Sequence, residues 1–159
     1  MTEVLRPGVL DGVRVLVAGA GPLGAAVAAR AAALGARVGD QDEPDVLVWD
    51  GAAAFATAAG VDAVRAALDG AWAAIQPRAT RPMLLLLLAP PPGDAHAEAA
   101  RAGLENLART LSIEWARLGI RPVAIHPGAA TAAGEVAELA AFLASPAGAY
   151  YSGCRFDLR

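Results

Sequence analysis

Short apolar runs alternate with longer amphipathic stretches along this chain. Val13–Ala18, Val46–Trp49, Met83–Ala89 and Val123–His126 are apolar almost throughout and stop at Gly, Asp or Pro, as parallel strands buried on both faces do. Between them, apolar residues return every three or four positions, the helical period. Gly24–Leu34 is Ala-rich and leaves directly from a glycine turn. Within Val61–Ile75 the stripe is Val61, Val64, Leu68, Trp72 and Ile75; from Ala97 to Leu118 it is Leu104, Leu107, Leu111, Trp115 and Leu118. Gly134–Ala144 predicts a last helix, stopped by Ser145-Pro146. Cys154–Leu158 alternates as an edge strand does. Strands alternating with helices predict an α/β fold: a three-layer sandwich around a mostly parallel sheet, with residues 1–159 as a single domain.

One junction strains this reading. Ala36–Val38 reads as a second strand, yet only Gln41–Pro44 separates its end from Asp45-Val46-Leu47-Val48. A parallel crossover ordinarily needs a dozen residues or more. Either Ala36–Val38 is stunted, or the link crosses the sheet edge in extended form; both imply a sheet of reduced size.

Composition narrows the class. The chain is 56% hydrophobic but only 5% aromatic, so its core is built from Ala, Val and Leu. A net charge of −3 gives no electrostatic case for nucleic acid or an anionic membrane. The longest apolar run, Met83–Ala89, falls far short of the ~20 residues of a membrane span. The N-terminus MTEVLRPG reads as neither a signal nor a transit peptide. A single cysteine, Cys154, suits a reducing compartment, and a cytoplasmic location is expected. Two isolated histidines and one cysteine make no metal site.

Gly19-Ala20-Gly21-Pro22-Leu23-Gly24 follows the first strand and opens a helix, the setting of a dinucleotide fingerprint. The first glycine permits a tight turn, the second lets a pyrophosphate approach the backbone, and the third packs helix on strand. Pro22 removes one N–H from the turn. The segment therefore reads either as a phosphate cradle or as a purely structural turn. Asp40 and Asp42 lie roughly 20 residues further on, where an acidic residue holds the adenosine ribose; Asp-Gln-Asp-Glu-Pro is equally a solvated loop.

The segment 101–128, RAGLENLARTLSIEWARLGIRPVAIHPG, resembles the helix–strand core of the short-chain dehydrogenase/reductase family, whose Rossmann domains move hydride between NAD(P)H and carbonyls. Asp45–Ala52, DVLVWDGA, is similar to the family's DVLVNNAG, and Phe142–Gly153 to the approach to its last strand. The resemblance implies a Rossmann-like sandwich and an NAD(P) site at Gly19, Gly21, Leu23, Gly24, Asp42, Pro127 and Gly128. It also marks what is missing. The family's Tyr-x-x-x-Lys is replaced by Ala97 and Arg101, its helix Asn by Ala67, and its substrate-binding Ser by the hydroxyl-free Ala89–Asp94. Trp49 and Asp50 stand in place of both asparagines, and a Trp there is expected to fill cofactor space. Only Ala132–Gly134 separates Thr131 from the last helix, so the family's substrate lid is absent.

Carbonyl reduction needs a proton donor poised at the developing alkoxide, and none of these positions supplies one; no catalytic residue is assigned. His96 and Arg101 are roughly 140° apart around a helix, so Arg101 is expected to form surface ion pairs with Glu98 and Glu105 instead. His126 is read as a polar strand cap. The reading is a non-catalytic subunit that forms homo- or hetero-oligomers through helices 62–76 and 97–118, preferably with an active, full-length short-chain dehydrogenase/reductase. A second small-residue face at Ala99, Ala100, Ala102, Gly103 and Ile113 would serve that contact. The alternatives are an unorthodox NAD(P)-dependent reductase using His96 or Arg101, and a nucleotide-sensing module.

Overall fold

A computed structural model of the chain describes residues 5–19, 21–40 and 42–159. The first four residues of the N-terminal segment, together with Ala20 and Gln41, lie outside this description. Six strands, β1 (Arg14–Ala18), β2 (Arg37–Val38), β3 (Val46–Asp50), β4 (Met83–Leu88), β5 (Ile120–His126) and β6 (Cys154–Asp157), form one sheet in the order β2-β1-β3-β4-β5-β6. Every neighbouring pair is parallel. The helices are α1 (Pro22–Ala33), α2 (Gly51–Phe55), α3 (Gly60–Ile75), α4 (Ala95–Glu114) and α5 (Ala133–Ala144). None among the described residues is long and apolar enough to cross a membrane.

The strands carry apolar side chains to both faces. Val46 and Val48 of β3, with Leu84, Leu86 and Leu88 of β4, pack with Val27 and Ala31 of α1 and Val136 and Ala140 of α5. Leu47, Trp49, Leu85 and Leu87 point the other way, onto Ala71 and Ile75 of α3 and Leu104, Ala108 and Leu111 of α4. Two helical layers therefore bury a sheet with a period of two on each strand, which explains the near-continuous apolar runs.

The awkward junction resolves as a stunted edge. β2 pairs only Arg37 with Arg14 and Val38 with Val15, and β3 begins with Val46 opposite that same Val15. Val38 and Val46 thus stand level on either side of β1, and the link spans only two strand spacings, about 10 Å. No helical return is needed. Gly39 N–H donates to the Val15 carbonyl at 3.2 Å and Asp45 N–H to the Arg14 carbonyl at 2.9 Å. The Asp45 carboxylate accepts from Arg14 Nε at 3.1 Å and Nη2 at 2.9 Å, pinning the entry to β3.

The helical stripes match the expected ones in part: Ile75, Leu104 and Leu111 are core, and Leu68, Leu107, Trp115 and Leu118 pack against it. On α3 the buried residues are Ala63, Ala67, Ala71 and Ile75; Val61 is 59% and Trp72 47% exposed. On α4 they are Ala97, Ala100, Leu104, Ala108 and Leu111. Alanine lets these helices lie close to the sheet beside Ile75, Leu104 and Leu111, and Leu68 and Trp72 of α3 lie on the flank where α3 meets α4. There Trp72 stacks on Trp115 at 5.8 Å between ring centroids, and Leu68 packs where a Cβ on Gly103 would stand. The expected small-residue face of α4 is accordingly split: Ala100 is fully buried, whereas Ile113 is 79% exposed.

Candidate functional site

Because β1 and β3 are neighbours while β2 lies outside β1, the chain direction across the sheet reverses between β1 and β3. In open parallel sheets such a switch point opens a crevice at the strand ends, where ligands bind. The glycine turn closes one wall of it and the β3–α2 junction the other. Gly19, at φ +95°, makes the tight turn expected of the first glycine. Gly24 lies against Val17 of β1, so the third glycine does pack helix on strand.

The second glycine does something else. A Cβ at Gly21 would stand 2.5 Å from Ala53 Cβ and 2.8 Å from Asp50 Oδ2. Its missing side chain leaves room for the chain's own α2, and the same glycine lines the groove over the turn. Asp50 is fully buried. Its Oδ2 accepts the Gly24 N–H at 2.8 Å and its Oδ1 the Ala53 N–H at 2.9 Å. One carboxylate thus caps two helices, meeting the positive N-terminal end of α1 from inside the protein. An open groove of about 510 Å³ remains over the turn, lined by Gly19, Pro22, Ala25 and Ala28 among others, with no charged side chain among the described residues.

Trp49 does not occupy the crevice. Its side chain turns to the opposite face, where Nε1 donates to the Ala67 carbonyl at 2.9 Å and the ring fills the space a Cβ on Gly70 would need. The residue facing the turn is Asp50. Leu23 packs into the α1/α5 core rather than the crevice, and Asp42 is exposed on the crossover.

At the other end of the strand edge, Arg101 keeps the expected ion pair with Glu98 but not the one with Glu105, and its side chain is only 12% exposed. Nη1 donates to the Pro90 carbonyl at 2.7 Å and to the Pro127 carbonyl at 2.9 Å, tying the segments after β4 and β5 together. Glu98 Oε2 stands 3.7 Å from Nε, whereas Glu105 pairs with Arg109 and Arg155, each at 2.6 Å. The Gly128 N–H donates to Thr131 Oγ1 at 2.8 Å, and the chain's C-terminal residues lie against Gly128, the Leu158 carbonyl 2.7 Å from where its Cβ would be. Pro127 and Gly128, like Gly21 and Gly24, are met by the chain itself. His96 sits in the first turn of α4, where Asp94 caps the helix by accepting the His96 and Ala97 N–H groups.

His126 ends β5 and is buried. Its Nδ1 lies 3.8 Å from Asp157 Oδ1, and its Nε2 has no hydrogen-bond partner. It borders a charged pocket of about 290 Å³ with Glu98, Arg101, Glu105, Arg155 and Asp157. Burial foremost, then the Arg101 guanidinium, hold the imidazole below its ordinary value of 6.5; Arg155 adds to this, and Asp157 and Glu105 oppose it. The unfolded chain therefore takes up this proton at a higher pH than the fold. The contribution of His126 to stability is complete above the unfolded value and is lost as pH falls below it, no faster than about 1.4 kcal/mol per pH unit. Thermal melts from about pH 7 to about pH 5 are expected to show Tm falling with pH, and His126→Asn to flatten that slope. A slope unchanged in the variant would assign the effect elsewhere. Among the described residues no three His, Cys, Asp or Glu side chains are placed to hold a metal ion.

A parallel three-layer α/β sandwich with a glycine turn at its switch point is the architecture of nucleotide-binding dehydrogenases. Comparison with solved structures assigns it more closely. The chain superposes on a citronellol catabolism dehydrogenase from Pseudomonas aeruginosa with a TM-score of 0.74 at 22% identity, covering 98% of this chain and 96% of that one. It is similar also to a short-chain dehydrogenase/reductase from Serratia marcescens (TM-score 0.76, 16% identity, 94% and 97% covered). A third is a gluconate 5-dehydrogenase from Burkholderia cenocepacia, solved with NADP and tartrate (TM-score 0.73, 18% identity, 94% of each chain). No protein-family model matches the sequence, and no curated protein is recognisably related to it. The fold is that of the short-chain dehydrogenases/reductases.

Proposed function

We propose that this chain is a non-catalytic subunit with a dehydrogenase fold, which assembles through α3 and α4 with itself or with an active short-chain dehydrogenase/reductase and supports the partner's site. The observation that carries the reading is Arg101. It stands at the family's Lys position, but its Nη1 is taken by the Pro90 and Pro127 carbonyls, and the Tyr position four residues earlier is the buried Ala97. No phenol stands at that position for a cation to tune, which supports a reading without a proton donor for a substrate carbonyl. The cofactor contacts implied by the resemblance fit NAD(P) poorly, since the chain's own atoms meet Gly21, Gly24, Pro127 and Gly128.

The assembly part is supported by the flank of α3 and α4. A groove of about 330 Å³ there is bordered by Leu68, Trp72, Gly103 and Leu107, and Val61, Trp72 and Ile113 expose large apolar surface. Aromatic and aliphatic anchors of this kind carry most of the energy of protein interfaces. The double variant Trp72→Arg/Ile113→Arg is expected to reduce the mass measured by light scattering to that of one chain, with thermal stability retained. A wild type that is monomeric alone, and that returns from its host without a dehydrogenase partner, would remove the proposal.

A nucleotide-binding reading keeps one observation in its favour, the open groove over the glycine turn, together with the NADP held by the gluconate 5-dehydrogenase. Titration with NADH and NADPH, followed through the three tryptophans, separates the two. Saturable quenching favours the nucleotide reading; silence to millimolar cofactor favours the subunit.

A further inference from the structure

We infer that Asp50 is a built-in anion: its carboxylate takes the electrostatic place of a dinucleotide phosphate at the glycine turn, so that the turn is complete without ligand. Four observations converge on this. Asp50 ends β3 at the switch point and is fully buried. Its two oxygens accept backbone N–H groups from two different helices, Gly24 of α1 and Ala53 of α2. It also reaches within 2.8 Å of the Cβ position of Gly21, where a phosphate would approach the backbone. Finally, the groove outside the turn has no cation in its lining.

The N-terminus of α1 has few donors left to offer. Pro22 has no N–H, Gly24 has given its own to Asp50, and the Gly21 carbonyl already accepts the first intrahelical bond from Ala25. A helix N-terminus attracts phosphate because its free N–H groups and its dipole are uncompensated. Here a buried carboxylate compensates both. A phosphate entering the groove would meet that charge through protein rather than water, where repulsion over several ångströms amounts to a factor of ten or more in affinity.

The inference rests on the reading in which this turn carries no cofactor, and the experiment tests the two separately. Wild type, Asp50→Asn and Asp50→Ala are titrated with inorganic pyrophosphate and with NADH against sodium chloride of matched ionic strength. Thermal shift and the fluorescence of the adjacent Trp49 report the response. The wild type is expected to be silent to millimolar ligand. Asp50→Asn, which keeps the volume and loses the charge, is expected to melt lower and to recover in pyrophosphate, with an affinity about tenfold or more above the wild type. Asp50→Ala is expected to behave alike if it folds; Asp50→Asn carries the test if it does not. A wild type that responds saturably to pyrophosphate or NADH overturns the inference and the cofactor-free reading together. A silent wild type with a silent Asp50→Asn overturns the role of Asp50 alone.

Discussion

Trp49→Ala is expected to lower the stability of the fold by about 3–5 kcal/mol, a large share of the roughly 5–15 kcal/mol available to a domain of this size. The indole is 9% exposed and forms the bridge between β3 and α3. Gly70 is bare because the ring occupies its side-chain position, with Trp49 Cη2 and Cζ2 each 2.6 Å from where a Cβ would stand. Removing the ring therefore leaves a void against α3, where Ala67, Gly70 and Ala71 have little side chain with which to collapse into it. The Ala67 carbonyl loses its indole donor as well. Trp49→Phe separates the two terms, since it keeps most of the volume and loses the hydrogen bond; about 1–2 kcal/mol is expected for that variant. Urea denaturation measures both, through a fall in midpoint at unchanged slope. A Trp49→Ala loss below about 1 kcal/mol would mean that this ring is not a core residue.

This result bears on how the chain is read. The alternation of apolar runs with helical periods, and the Gly, Asp and Pro that end them, carry the parallel sheet and its order of elements plainly enough. The stunted β2 is legible as well, because four residues cannot return a chain along a full strand. The facing of α3 and α4 is not. A search for large apolar side chains finds Val61, Leu68 and Trp72, but a helix packed close to a sheet buries its alanines, here Ala63, Ala67 and Ala71. In a chain with only 5% aromatic residues, Val61 and Trp72 of the bulky α3 stripe mark a flank, whereas Leu104 and Leu111 of α4 do mark the core.

The site is legible in its deletions more than in its bonds. Ala97, Arg101 and the hydroxyl-free Ala89–Asp94 stand where the resemblance implies a reductase's donors. Asp50 is harder to see, because comparison with two asparagines draws the eye to Trp49, the larger change. The available signal is local: an Asp followed by Gly-Ala-Ala-Ala-Phe is an N-cap before a helix, and α2 begins there. Nothing local announces Arg101. Its acceptors lie 11 and 26 residues away in sequence, and only the parallel register of β4 and β5 brings them to one guanidinium.

Arg101→Ala is accordingly expected to cost about 2–3 kcal/mol, because two largely enclosed carbonyls lose a charged donor in one step. Arg101→Lys restores the charge and the residue type of the dehydrogenase family, but the ammonium sits on a shorter stem and is a point charge, not a fork. It is expected to recover no more than half of the loss. The double variant Ala97→Tyr/Arg101→Lys rebuilds the Tyr-x-x-x-Lys pattern in full. Ala97 is 5% exposed, so a phenol there has to displace packed neighbours, at about 1–3 kcal/mol for overpacking. The variant is expected to melt well below the wild type and to oxidise no NADPH with ketone or aldehyde substrates. NADPH-dependent reduction by the double variant, absent from the wild type, would show that the crevice still accepts cofactor and that two substitutions alone silenced it. The proposed reading, in which Asp50 compensates the glycine turn at one end and the residue in the lysine position ties β4 to β5 at the other, predicts the opposite: pattern without chemistry.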